Sequence, residues 1–134
     1  MGLNQALSIS VSAIDAQRVA QELIASNIAN INTTRTVYGG PYRRRIPVFA
    51  EQLARAEQKL GGVEITEVVE DTTPFQKVYN PGHPDADEQG YVSLPNVNLS
   101  TEMVNQVYTS RLYEANITAF NATKKMMQDT LQLQ

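Results

Sequence analysis

A chain of 134 residues with 42% apolar and 19% charged side chains, 11 basic against 14 acidic, has room for one ordinary domain, or for a small core carrying long appendages. The absence of cysteine excludes disulfide frameworks, thiolate nucleophiles and cysteine-ligated metal centres, and a single histidine, His83, excludes two-histidine metal sites. No run reaches the roughly 18 uninterrupted apolar residues of a membrane span, and the first 30 residues lack the layout of a cleaved secretory leader.

From Leu3 to about Asn30 there is neither proline nor glycine, and apolar residues recur at helical spacing, which predicts a long amphipathic helix. Positions 6, 9, 13, 16, 20, 23, 27 and 30 alternate steps of three and four, a heptad seam rich in alanine that ends in Asn27 and Asn30. The middle of the chain changes character. Short strands are expected over Arg45–Ala50, Val63–Val69, Phe75–Tyr79 and Tyr91–Leu94, with turns at Gly39-Gly40-Pro41 and Gly61-Gly62. A short helix is expected over Ala50–Lys59, closed by Gly61, and a rigid loop at Asn80-Pro81-Gly82-His83-Pro84.

Beyond Pro95 a second long helix is expected, capped by Ser100 or Thr101, with a seam of Tyr108, Leu112, Ala115, Ala119, Ala122 and Met126, widened by Phe120, Met127, Leu131 and Leu133. At about 30 residues each helix reaches about 45 Å, too long for the interior of so small a globule. The expected fold is therefore mainly α: long N- and C-terminal helices packed as a coiled coil, with a small β-rich central segment. Residues 1–34, 35–98 and 99–134 are the corresponding divisions.

Charge is segregated along the chain, with a net +4 over residues 31–62 and −7 over residues 63–102. Such a layout either solvates two faces or brings the basic segment of one subunit to the acidic segment of another. Arg35, Arg43, Arg44 and Arg45 beside Tyr38 and Tyr42 have the look of a nucleic-acid patch, but the acidic total argues against many phosphate contacts, so no nucleic-acid partner is expected.

Candidate chemistry is sparse. Asp85, Asp87 and Gly90 fall at positions one, three and six of a calcium loop, yet Gln89 is a poor fifth ligand and Asn96 stands where a bidentate glutamate belongs, so no metal is expected. The serines have one histidine to share and no glycine-framed nucleophile turn, and Glu64, Glu67, Glu70 and Asp71 read as a solvated strand edge rather than a hydrolytic pair. No catalytic residue and no cofactor follow. The informative polar residues are Asn27, Asn30 and Asn32, because buried asparagines in a helix seam fix register and choice of neighbour, each unpaired amide costing of order 1–3 kcal/mol.

The stretch Ser26-Asn27-Ile28-Ala29-Asn30-Ile31-Asn32-Thr33-Thr34 resembles the N-terminal motif of the bacterial flagellar axial proteins of the rod and hook. Gly39-Gly40-Pro41-Tyr42-Arg43-Arg44, Val78 to Asp87, Gly90-Tyr91-Val92, Pro95-Asn96-Val97-Asn98, Glu102-Met103 and Ser110 to Asn116 extend the resemblance, in order, over Ile9 to Leu133 and narrow it to proximal-rod proteins. The resemblance implies a structural, non-enzymatic subunit in the flagellar basal body. It also implies export through the flagellar type III apparatus and polymerisation across the periplasm with copies of itself, other rod proteins, the rod–MS ring junction protein and the MS ring, without membrane insertion.

On that reading, inner helical packing is expected at Ala13, Ala16, Ala20, Leu23, Leu112, Ala115, Ala119 and Ala122. Register is expected from Asn27, Asn30 and Asn116, and outer subunit contacts from Arg43, Arg44, His83 and Asp85.

Overall fold

The computed structural model describes residues 2–51 and 61–133. Helix α1 spans Leu3–Ala29 and helix α2 spans Leu99–Gln132, about 40 and 51 Å at 1.5 Å per residue. No Gly or Pro interrupts either. Helix α2 is capped by Asn98, whose Oδ1 accepts the Thr101 N–H at 3.0 Å; the cap thus lies two to three residues ahead of the expected Ser100 or Thr101. The helices run antiparallel: Asn27 meets Glu102 and Gln21 meets Ser110, so falling positions on α1 match rising positions on α2. Among the described residues, no helix is long and apolar enough to cross a membrane.

Strands β1 (Arg45–Glu51) and β2 (Val63–Glu70) form an antiparallel hairpin in which Arg45 faces Glu70 and Glu51 faces Val63, with a bulge between Val48 and Phe49. The hairpin lies back along α1. At one end the Arg45 backbone binds Asn27; at the other the Val63 N–H donates to Ser12 Oγ at 3.1 Å. The roughly 22 Å of helix from residue 12 to 27 matches the roughly 24 Å of a seven-residue strand. Of the short helix expected over Ala50–Lys59, Ala50 belongs to β1 and residues 52–59 lie outside the described residues.

Strands β3 (Gln76–Tyr79) and β4 (Tyr91–Leu94) make a second antiparallel hairpin, closed by Tyr79 and Tyr91 edge to face at 5.3 Å. Gly90 just before β4 has φ +82, and a Cβ there would come within 2.9 Å of the Tyr79 ring and 3.1 Å of Pro81. Two-stranded ribbons are marginal alone. Here one leans on α1 and the other is anchored by buried Val92.

The buried apolar set among the described residues is Ala16, Ala20, Ile24, Tyr42, Val92 and Val97, all in the half of the molecule nearer Asn27. The chain exposes 9496 Å², against about 7,000 Å² for a compact monomer of this mass.

The α2 seam differs from the expected one by a single residue. Glu102 and Thr109 are buried along α2 and Gln106, Tyr113, Asn116, Phe120, Thr123 and Met127 half-buried, again at steps of four and three, and Glu102 of this stripe meets α1 at Asn27. One residue is about 100° of helix. The alanine seam is consequently rotated outward: Tyr108, Ala115, Ala119, Ala122 and Met126 are exposed and only Leu112 is half-buried. Ala115, Ala119 and Ala122 therefore do not form the contact between the two helices of one chain. On α1 the expected seam is closer to the observed packing, with Ala16, Ala20 and Asn27 buried, Ala13 and Leu23 half-buried, and Ile24 taking the inner place assigned to Leu23.

Gly39 and Gly90 share a φ near +80, but a Cβ at Gly39 would meet nothing within 4 Å. Replacing Gly39 with Ala should therefore cost only the left-handed backbone penalty of about 1–2 kcal/mol. Gly90→Ala should cost measurably more, because Pro81 must also move. Denaturant titration of both variants reads the difference.

Candidate functional site

Where α1 ends and α2 begins, a polar junction joins both helices to the start of β1. Asn27, only 1% exposed, satisfies its whole amide. Its Nδ2 donates to Arg45 O at 2.9 Å and to Glu102 Oε2 at 3.2 Å; its Oδ1 accepts from the Tyr42 hydroxyl and the Arg45 N–H, both at 2.9 Å. Two donors and two acceptor positions are all that an asparagine side chain has. Ser26 Oγ lies 3.3 Å from the same tyrosine hydroxyl.

Glu102 has no exposed surface and sits in the first turn of α2, where the helix dipole favours a carboxylate. Its second oxygen accepts from Arg44 Nε, and Arg44 reaches on to Asp71 Oδ2 at 3.3 Å. Burial works against the Arg44 charge, but the hydrogen bond and charge of Glu102, with Asp71 behind them, outweigh it and raise the guanidinium above its ordinary value. Asn96 locks the same chain crossing: its Oδ1 accepts the Arg44 N–H at 2.8 Å, and its Nδ2 donates to Asp71 O and Thr73 O, both at 3.0 Å. The Thr73 hydroxyl and N–H hold the Asp71 carboxyl below its usual value, with Arg44 adding to the effect.

A second latch ties the chain leaving α1 to the β3–β4 loop. Asp85 accepts from Thr34 Oγ1 at 2.8 Å and pairs with Arg35, and these contacts, the threonine's first, lower its pKa. His83 Nδ1 accepts the Asp85 N–H at 3.0 Å, an internal turn contact. Asp87 Oδ1 is engaged by the Gln89 and Tyr91 N–H groups. The carboxylates of the calcium-like stretch thus have separate occupations, and no group of three metal-ligating side chains occurs among the described residues.

Arg44 and Asp85 face partners in their own chain, and Arg43 lies over the Phe75 ring at 4.3 Å while donating to Asp71 O. Part of the basic and acidic segments meets within the chain, through Arg35–Asp85, Arg44–Asp71 and Arg44–Glu102. Asn27 ties α1 to both α2 and β1 by hydrogen bonds. Asn30 instead terminates α1 locally, donating to Ser26 O and accepting from Thr33 Oγ1, and Asn116 is half-buried in the inner stripe of α2. Periodicity and spacing do not single out Glu102, Tyr42 and Asn96, which are structural partners here. The available signal was Asn27 itself, since a seam amide demands partners, and a first-turn acid opposite an arginine run supplies one.

Replacing Asn27 with Ala strands the Arg45 backbone groups and the Tyr42 hydroxyl, and should cost about 3 kcal/mol or more in urea denaturation. Glu102→Ala leaves a largely buried guanidinium without its main partner and should cost about 3 kcal/mol. The double variant Arg44→Met with Glu102→Leu should recover much of the Glu102→Ala loss.

Both depressed carboxyls, Asp71 and Asp85, stabilise the fold fully above the ordinary aspartate value of about 4 and lose that contribution as pH falls below it through the folded value. Denaturation midpoints should therefore fall below about pH 4, and Asp85→Asn should flatten part of that slope.

Comparison with known proteins bears on what this junction serves. The family described as flagella basal body rod protein matches residues 7–35, and the family described as flagellar basal body rod FlgEFG protein C-terminal matches residues 88–133. These cover α1 with its exit turn, and β4 with α2. Proteins named flagellar basal-body rod protein FlgC are similar over nearly the full length. That of Borreliella burgdorferi is 39% identical over 98% of this chain and 97% of its own, that of Bacillus subtilis 39% over 95% of each, and that of Salmonella typhimurium 42% over 99% and 98%. The chain belongs to the flagellar basal-body rod protein family, whose members are structural subunits of the basal body and not enzymes.

Proposed function

We propose that the chain is a subunit of the proximal rod, polymerising through its terminal helices into the drive shaft that carries torque toward the hook and filament. The observation that carries this reading is the uncovered apolar seam of α2: Tyr108, Ala115, Ala119, Ala122 and Met126 stand exposed at heptad spacing beside exposed Met103, Val104 and Val107. An isolated soluble protein seldom leaves so long a stripe bare. Small side chains at its centre let a neighbouring helix approach closely. In this reading residues 1–34 and 99–134 form the inner helical layer of the rod, residues 35–98 its outer layer, and a heterologous contact that does not close on itself builds the tube.

The partners in this proposal are copies of the chain, other proximal and distal rod proteins, the rod–MS ring junction protein and the MS ring, reached after passage through the type III export apparatus into the periplasm. A core confined to one half of the helix pair favours passage as an unfolded chain, with the remaining helix surface covered on assembly. Of the expected interface residues, Ala115, Ala119 and Ala122 are the strongest candidates for contact with a neighbour. Ala13, Ala16, Ala20, Leu23 and Asn27 serve by holding α1 in place beneath them.

Ala119→Leu adds bulk to an exposed position, so the isolated chain should denature within about 0.5 kcal/mol of the wild type. Rod assembly and swimming should nevertheless be lost. Normal swimming with intact rods would contradict the proposal.

A further inference from the structure

The turn Thr36–Gly40 is built as a rigid knob. The Thr36 N–H donates to Gly40 O at 2.9 Å, the Gly39 N–H to Thr36 O at 3.0 Å, and Thr36 Oγ1 to Gly39 O at 3.2 Å, while Gly39 and Gly40 take φ values of +81 and +74. At its tip Val37 and Tyr38 are 94% and 93% exposed. A constrained turn that holds an aliphatic and an aromatic side chain in water gains nothing for the isolated chain. It does spare a partner the ordering cost of binding them.

The same chain carries a receptor of matching character. Between β1 and α2 runs a groove of about 220 Å³, lined by Ala20 and Ile24 of α1, Phe49 of β1 and Tyr108 and Leu112 of α2, with the Asn27–Arg44–Glu102 junction at one part of it and Gln17, Arg45, Asn105 and Thr109 as further polar groups. It exists because the hairpin leans on α1 and leaves the edge of β1 facing α2 across a gap. Its volume falls below the roughly 300–1,000 Å³ of ordinary small-molecule pockets and suits one or two side chains. The apolar walls suit Val37 and the Tyr38 ring; the polar groups can take the phenol hydroxyl, and Arg45 can stack on an aromatic face.

We infer that the Val37–Tyr38 knob of one copy seats in the groove between β1 and α2 of a second copy. Each chain carries one knob and one groove at different places, beyond the end of α1 and along its flank. The contact is therefore heterologous and propagates a helical row of subunits instead of closing a dimer. This inference rests on the rod reading above and adds a named contact to it.

The test replaces Tyr38 with the photoreactive p-benzoyl-phenylalanine in cells building flagella, followed by irradiation and isolation of basal bodies. The expected product is a dimer of this chain whose cross-linked peptide contains Phe49 or Tyr108. Basal bodies that form but show the cross-link on a different protein, elsewhere on this chain, or not at all would overturn the knob-and-groove contact while leaving the rod reading intact. Basal bodies that lack the wild-type chain altogether would overturn both.

A paired measurement guards against misfolding. The double variant Val37→Ser with Tyr38→Ser should melt within about 2 °C of wild type, because neither side chain has a neighbour to lose, yet reduce rod yield at least about tenfold. Phe49→Ala, on the β1 wall of the groove and outside the exposed seam of α2, should likewise reduce rod yield. Unchanged rod yield in both variants would overturn the inference.

Discussion

One amide sets the geometry of this molecule. Asn27 is enclosed where water cannot serve it, and its four hydrogen-bonding positions are filled by α2, by β1 and by the tyrosine of the segment between α1 and β1. A buried amide with any position unfilled costs of order 1–3 kcal/mol, a large share of the stability available to a chain with so few buried apolar residues. Sliding α2 by one turn, or β1 by one residue, would strand several of these groups at once. The two helices and the hairpin therefore share a single register, imposed at one end.

Glu102 and Arg44 extend the same constraint outward. Arg44 is tied by its side chain to α2 and Asp71, and by its backbone N–H to Asn96, so the chain entering β1 is held from both sides. Arg35 and Asp85 make one further internal link between the basic and acidic segments. The exposed large apolar side chains of α2 take no part in this polar junction. Polar bonds thus fix the shape at this end of the helix pair.

Much of this fold was legible in the sequence because it depends on local rules. Two long stretches without glycine or proline gave the helices, β-branched runs between turn residues gave all four strands within a residue or two, and an asparagine inside an alanine seam announced a register contact. The rotation of α2 was not legible. Two adjacent heptad seams run along it, and a periodicity argument selects the more apolar, Tyr108 to Met126, as the inner one. The structure turns inward the stripe that begins at Glu102, because that carboxylate completes the Asn27 junction across 75 residues of sequence. Pattern reading assumes that apolar residues face the rest of their own chain, and in a subunit made for assembly the better apolar seam can face other copies.

The central claim is that the helix pair is fastened at the Asn27–Glu102 end and only loosely packed at the other. Amide hydrogen exchange on the isolated chain measures this directly. The account predicts the slowest exchange over residues 16–29 and 99–110, with fast exchange over residues 3–12 and 118–133. Equal protection along both helices, or faster exchange around Asn27 and Glu102 than at the far end, would contradict it.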